Sequence, residues 1–294
     1  MHAMPPEVSQ SAFPFTSSGQ EAAHVSHYMQ HVLRIQYLLA DPSIERFIFR
    51  FAQTSRTARS AMCLLSAVHQ QRMRQIEFPR SSPDAGDTTE MNQLFRQTRA
   101  LLRATERSTE RYSEGDAMAG LHVVSCFLFT GGHGPWNYFL QVAIAWVEGV
   151  LLDARCAGPL DAYRRCTESM QFIIRTTMWF DVWSAVTRRT QPRFARIYQE
   201  LFDGEHGYPL TQTGTVDMLP VMGCTNETVL AMSETATLAF WKDEHMKQRA
   251  CPVAARHSVL TLTHLRTHTG NLSMPTLIER GRHVRMCILR DYGT

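Results

Sequence analysis

The sequence predicts an all-α protein, a multi-helix array of packed antiparallel helices with no significant sheet. Three observations carry this prediction. Apolar residues recur at helical spacing in one segment after another. No run of alternating apolar and polar residues is long enough for a convincing strand. With 294 residues, of which 44% are hydrophobic, the chain can also bury a substantial core.

Each predicted helix rests on an apolar stripe. In the first one, Tyr28, Val32, Ile35 and Leu39 share a face. The segment 117–130 is apolar almost all round, which is typical of a helix that is buried on every side. The same reasoning predicts helices over residues 28–39, 44–52, 57–78, 89–111, 117–130, 136–152, 161–169, 170–189, 194–201, 225–242 and 274–289.

Residues that break helices separate these stripes. Asp41-Pro42 ends the first helix, and Pro192 ends the predicted helix 170–189. Pro135 suits a first helical position, because its missing N–H is not needed there. Loops are predicted at Pro79–Asp87, Gly131–Pro135 and Asp203–Val221.

Composition narrows the class of protein. The formal net charge of +3 is too small to predict a surface that coats nucleic acid. Seven scattered cysteines, an odd number, favour reduced thiols inside a cell over a disulfide framework. We find neither a secretory signal nor an apolar run long enough to span a membrane. Residues 1–26, rich in Pro, Ser and Phe, are predicted to form a flexible leader, and residues 27–294 one helical domain.

The most informative segment is Asp217–Lys242, which we call the signature segment. Gly223-Cys224 is predicted to form a turn, with Thr225 as the N-cap of a helix and Glu227 in its first turn. The apolar face of that helix is predicted to contain Val229, Met232, Ala236 and Phe240, widened by Leu230, Thr237 and Trp241. The segment contains no group placed for catalysis.

A second motif looks like half of a zinc finger. His264 and His268 have the spacing of the histidine pair, and twelve residues separate Cys251 from His264. The second cysteine that tetrahedral zinc needs is missing, and Ala255 and Thr261 occupy the positions of the apolar core residues. We interpret the segment as a chance match.

Three other clusters also favour simple interpretations. His24, His27 and His31 lie at helical spacing, so two of them can share a face, but a histidine pair without a carboxylate or a third ligand nearby favours surface histidines over a metal site. The Gly131–Gly134 run lacks the Lys-Ser/Thr pair of a phosphate loop and is predicted to be a turn between helices. The charged run 243–245 is predicted to be a solvated helix end rather than an acid–base site.

Five segments in order resemble the fungal-specific transcription factor domain, the regulatory region that follows the zinc cluster in many fungal transcription factors. They are Tyr28–Ile44, Ala61–Arg74, Asp116–Leu151, Phe172–Phe202 and the signature segment. On this resemblance, the family signature residues are Met222, Gly223, Cys224, Thr225, Glu227, Glu234, Trp241 and Lys242.

The resemblance implies a helical, non-enzymatic regulatory domain of a nuclear RNA polymerase II factor. It implies as partners the transcription machinery or a second copy, a small-molecule effector, and no membrane. The chain departs from the family in two ways. No cysteine precedes Cys63 and no Cys-x-x-Cys occurs, so we expect no zinc cofactor and DNA contact only through a missing zinc-cluster domain. We also expect the domain to be truncated at its C-terminus. A mispredicted coding junction over residues 249–270 would explain the half zinc finger, and the sequence leaves this open.

Two alternatives stay open. The chain could be a helical interaction or dimerisation scaffold without direct gene control. It could also be a helical enzyme with an apolar pocket, although the Asp-rich metal motifs of terpene cyclases are absent. The five tryptophans fit a core or a hydrophobic ligand pocket equally well.

Overall fold

The computed structural model describes residues 19–77, 85–108, 111–203 and 216–250. Across these ranges the chain is helical and contains no β-strand, which confirms the all-α prediction. The helices follow one another as α1 (Gly19–His27), a π-helical turn (Tyr28–Val32), α2 (Leu33–Gln36), α3 (Ile44–Thr54), α4 (Arg56–Glu77), α5 (Ala85–Arg107), α6 (Glu114–Phe129), α7 (Trp136–Leu151), α8 (Pro159–Arg164), α9 (Glu168–Arg188), α10 (Ala195–Asp203), α11 (Leu219–Met222) and α12 (Asn226–Ala250).

The core is a row of packed helices with α6 at its centre. α6 lies between α4 and α7 and is buried continuously from Gly115 to Cys126, as expected for a helix that is apolar all round. α5 covers the outer side of α4, and α9 packs against α6 and α7. α12 packs against α9 and α10 and extends the row at its other end.

α6 and α7 form a hairpin that needs glycine in two places. A Cβ atom at Gly120 would lie 2.5 Å from the carbonyl oxygen of Phe139, so a larger residue would push the two helices apart. In the turn, Gly131, Gly132 and Gly134 have positive φ angles of 97°, 79° and 130°. The prediction that this glycine run is a turn between helices is confirmed.

The first helix contains an irregularity that changes its buried face. Tyr28, Val32 and Leu33 are fully buried, whereas Ile35 and Leu39 are 56% and 57% exposed. The predicted stripe was therefore wrong at its last two positions. The π-helical turn at Tyr28–Val32 explains the exposure of Ile35, because one extra residue per turn rotates the following helical side chains by about 100°. Leu39 is exposed for another reason: α2 ends at Gln36, not at residue 39 as predicted, so Leu39 lies in the turn after the helix.

Several predicted boundaries also shift. α6 begins at Glu114, not at residue 117, because Ser113 and Asp116 form a capping box in which each side chain accepts the other's N–H. The predicted helix 161–169 is wrong: α8 ends at Arg164, and Thr167 caps the separate helix α9. Residues 85–87 of the predicted loop are helical, and α12 continues past Lys242 to Ala250.

Part of the predicted leader is also helical. α1 begins at Gly19, and Val25 is buried against the core, while the earlier residues lie outside the described ranges. Among the described helices, none combines the length and the apolar character needed to cross a membrane.

Candidate functional site

The turn of the signature segment forms as predicted. The N–H of Gly223 donates to the carbonyl oxygen of Leu219, and Gly223 ends α11 with a φ of 70°. Thr225 then caps α12, because its hydroxyl accepts the N–H of Thr228 at 3.3 Å. Met222 and Cys224 are half-buried beside this turn.

The other proposed signature residues are dispersed along α12. Glu227 is half-buried in the first turn and Glu234 is buried at 7% exposure. Trp241 is half-buried, its ring 4.1 Å from that of His245, and Lys242 is exposed. The structure does not bring the eight residues together in one pocket, so their role as a signature stays a prediction.

Asn226 is an important residue of this segment that the sequence reasoning missed. Its side-chain oxygen accepts the N–H of Met218 at 3.0 Å, and its amide donates to the carbonyl oxygen of Val216. Asn226 thereby holds the chain before α11 against the start of α12. An Asn directly after a Thr N-cap was the available signal, because short amides often bond to nearby backbone.

The buried face of α12 is wider than the predicted stripe. Val229, Leu230, Ala236 and Thr237 are buried as predicted, but Met232, Phe240 and Trp241 are only half-buried. Contact with both α9 and α10 buries a second strip of the helix. This second strip, among the described side chains of α12, consists of Ala231, Ser233 and Glu234.

The signature turn rests against the first helical segment and α9. A Cβ atom at Gly223 would lie 3.1 Å from Cδ1 of Leu39, in the chain between α2 and α3. On the other side, Nη1 of Arg175 donates to the carbonyl oxygen of Asp217 at 3.0 Å. Three of the resembling segments therefore meet at this turn.

A buried carboxylate fixes the corner between α9 and α10. Asp181 accepts the N–H of Arg193 at 2.9 Å, the N–H of Phe194 at 3.1 Å and the hydroxyl of Tyr198 at 2.8 Å. Burial raises the pKa of Asp181 above its ordinary value, although these three donors favour the charged form. The group is fully used in holding the corner, which indicates a structural role.

The four histidines near α1 form one cluster. Nε2 of His27 lies 3.0 Å from Nδ1 of His69, and the His27 and His31 rings are 4.7 Å apart. His24 bonds to Glu90 at 2.8 Å. Burial and the neighbouring histidines lower the pKa of His27 to about 4. The prediction that these are surface histidines was wrong for His24, which is only 7% exposed.

Metal binding finds no support in the described part of the chain. No group of three or more His, Cys, Asp or Glu side chains there is arranged to hold a metal ion. The residues of the half zinc finger lie outside the described ranges. Asp243, Glu244 and His245 are half-buried residues within α12, which continues to Ala250, so the prediction that this run is a helix end was wrong. Asp243 lies 4.0 Å from Arg189, and Glu244 lies 2.7 Å from Lys247, so both carboxylates face a cation.

A groove of about 960 Å³ lies between the end of α7, the loop after it, α8, the start of α9 and the segment before α6. We call it the arginine groove, because its lining includes Arg111, Arg155 and Arg165. Asp153 holds Arg155 through Nε at 3.0 Å and Nη2 at 2.6 Å. Asp161 holds Arg165 in the same way, at 3.0 and 2.9 Å.

The arginine groove offers little acid–base chemistry. The Sγ of Cys166, in its lining, donates to the carbonyl oxygen of Ala162, and burial raises the pKa of this thiol to about 11. Arg155 holds the pKa of Asp153 well below its ordinary value, so that carboxylate stays charged. These groups can bind a charged ligand, but none of them is poised to transfer a proton near neutral pH.

A smaller cavity of about 140 Å³ opens between α6, α7 and α9. We call it the apolar pocket. Leu128 and Trp183 line it and are 56% and 44% exposed. Val186, on the same helix as Trp183, is also 44% exposed. An exposed apolar area of this kind is typical of an interaction surface.

Comparison with known families agrees with the sequence resemblance. The chain matches the model of the fungal specific transcription factor domain over residues 23–282, which is most of its length. The chain therefore belongs to this family. Membership indicates a role in transcription regulation. No match was found among curated proteins or among solved structures.

Proposed function

We propose that this chain is the non-catalytic regulatory domain of a fungal RNA polymerase II transcription factor and that it acts in the nucleus. The observation that carries the proposal is the family match over residues 23–282. The hydrogen bonds of the signature segment support a regulatory role over catalysis, because they cap and anchor α12 and leave no group placed for chemistry. The chain needs no cofactor of its own for this role.

In this proposal DNA contact belongs to a separate zinc-cluster domain. The sequence carries no Cys-x-x-Cys pair, and its net charge of +3 is small for a chain that would hold DNA by itself. The regulatory domain acts through protein partners or a second copy. The exposed side chains of Leu128, Trp183 and Val186 support such contacts.

The proposal is tested by fusing the full chain to a heterologous DNA-binding domain in a fungal reporter strain. We expect reporter output to change at least threefold relative to the DNA-binding domain alone. A fusion carrying Gly120→Leu, which disrupts the α6–α7 hairpin, serves as the unfolded control. The proposal is contradicted if reporter output is unchanged under every nutrient condition and the purified chain is also monomeric in sedimentation.

A helical scaffold without gene control is the second candidate, and the exposed apolar pocket favours it. It predicts a stable partner and cytoplasmic residence. Microscopy of the tagged full chain separates the two, because nuclear enrichment supports the regulatory proposal. Trp183→Ser should reduce self-association in sedimentation if the pocket is the contact. Ile76→Ser is the comparison, because Ile76 is 71% exposed on α4 and does not line the pocket.

A further inference from the structure

The two sides of the arginine groove differ in chemistry. Trp146, Val150 and Met170 give it an apolar wall. Three guanidinium groups and a single carboxylate, that of Asp153, are the charged groups in its lining. Asp153 pairs with Arg155, and Asp161 pairs with Arg165 from just outside the lining, so these five groups together carry one net positive charge next to an apolar surface. Such a combination suits a ligand with an apolar body and a negative end.

The guanidinium groups retain capacity to bind. Each carries five N–H donors, and the bonds of Arg155 to Asp153 and of Arg165 to Asp161 use only Nε and Nη2. The side chains of Arg155 and Arg165 are 88% and 64% exposed, so Nη1 of each can reach a ligand from solvent. The two aspartates hold the groups in a fixed orientation, which lowers the entropy lost on binding.

The floor of the groove is open. Ala145 and Gly149 lie one turn apart on α7, and both line the groove and are exposed. A Cβ atom at Gly149 would meet no other atom within 4 Å. The missing side chain of Gly149 leaves room beside the apolar wall. A larger residue at this position would therefore fill the groove without disturbing the fold.

We propose that the arginine groove binds a small organic carboxylate with a flat apolar body, its carboxylate at Arg155 and Arg165 and its body on the apolar wall. The volume of about 960 Å³ lies within the range of small-molecule sites. A concave site of this size favours a small ligand over an acidic helix, which would need a longer, shallower surface. The inference goes beyond the proposed function and does not depend on it.

Calorimetry on the full chain tests the inference with two matched probes, 1-naphthaleneacetate and the neutral 1-naphthaleneacetamide. We expect one site for the carboxylate, with at least fivefold higher affinity than for the amide. The advantage of the carboxylate should shrink at high salt, because exposed charges are screened. Equal affinity for both probes, or no saturable binding of the carboxylate, overturns the inference.

Variants locate the site. Gly149→Leu fills the floor and should abolish binding, whereas Gly19→Leu, also placed in open space, should leave it unchanged. Arg155→Gln should weaken the carboxylate at least threefold without affecting the amide, and Arg96→Gln on α5 is its charge-matched control. Full binding by folded Gly149→Leu, or by Arg155→Gln, refutes the site. One further outcome is that wild type does not bind the carboxylate probe but binds an acidic helical peptide, and Gly149→Leu does not bind that peptide. This outcome would overturn the small ligand in favour of a protein partner.

Discussion

The hydroxyl of Tyr198 donates a hydrogen bond of 2.8 Å to the buried carboxylate of Asp181, and the same hydroxyl lies 3.0 Å from the carbonyl oxygen of Met178. α10 is thereby tied to α9 across the Pro192 break. Both α9 and α10 support α12, so the position of the signature helix depends on this corner.

Removing either partner should destabilise the domain. We expect Tyr198→Phe to lower the free energy of unfolding by about 1–3 kcal/mol, because the buried carboxylate of Asp181 loses the hydrogen bond that the tyrosine hydroxyl donates. Asp181→Ala should cost more, since it strands two backbone N–H groups and the phenol. Urea unfolding followed by circular dichroism measures both. Tyr138→Phe, whose bond to Glu106 is exposed at 3.3 Å, should change stability by less than about 0.5 kcal/mol.

Two glycines on neighbouring helices should respond in opposite directions to alanine. Gly120→Ala puts a Cβ atom 2.5 Å from the carbonyl oxygen of Phe139, and the resulting strain should cost about 1–3 kcal/mol. Gly149→Ala meets open space in an exposed helix and should stabilise by about 0.5–1 kcal/mol. Thermal melting of both variants provides the comparison. Equal effects of the two substitutions would contradict the close approach of α6 and α7.

Acidification should unfold the domain partly through buried histidines. Burial lowers the pKa of His122 from 6.5 to about 3, and neither ring nitrogen has a hydrogen-bond partner among the described residues. The unfolded chain therefore binds protons near pH 6.5 that the folded chain excludes, and stability is lost as the pH falls. For His122 alone we expect a loss of about 2–3 kcal/mol between pH 7 and pH 4.5.

The lowered pKa of His27 acts in the same direction, while the raised pKa of Asp181 acts in the opposite one. Urea unfolding at a series of pH values measures the slope. His122→Leu should flatten it, whereas His133→Gln, on the exposed turn, should leave it intact. A slope that His122→Leu does not change would show that other groups cause the acid sensitivity.

The Thr225 cap of the signature helix should contribute to the stability of the domain and not to partner binding. We expect Thr225→Ala to cost about 1 kcal/mol, because the N–H of Thr228 loses its acceptor, and Thr225→Ser to be nearly neutral. In the reporter fusion, Thr225→Ser should retain full output. Loss of output in Thr225→Ser with unchanged stability would instead make the threonine methyl group part of a contact surface.

The sequence was sufficient for features that depend on local chemistry. Thr225 was predictable as a cap because a hydroxyl before a helix has one obvious use, and α6 was predictable as buried because it has no polar face. The exposure of Ile35 was not predictable, since it depends on a π-helical turn that packing selects, and that of Leu39 was not, since the helix ends at Gln36 before the Asp-Pro pair is reached. Nor was the arginine groove, which assembles from three helices and from the segments before α6, after α7 and after α8, which sequence spacing does not relate.

The contact between Leu39 and Gly223 has a consequence for how the protein is made. During synthesis, α1 to α7 can begin to pack as soon as they leave the ribosome, because their contacts are between near neighbours in the chain. The loop after α2 has to wait until the signature turn has been translated. Until then Leu39 lacks this neighbour, and α9 lacks the turn that Arg175 binds, so a chain stalled before residue 217 should leave this end of the core uncovered and favour chaperone binding.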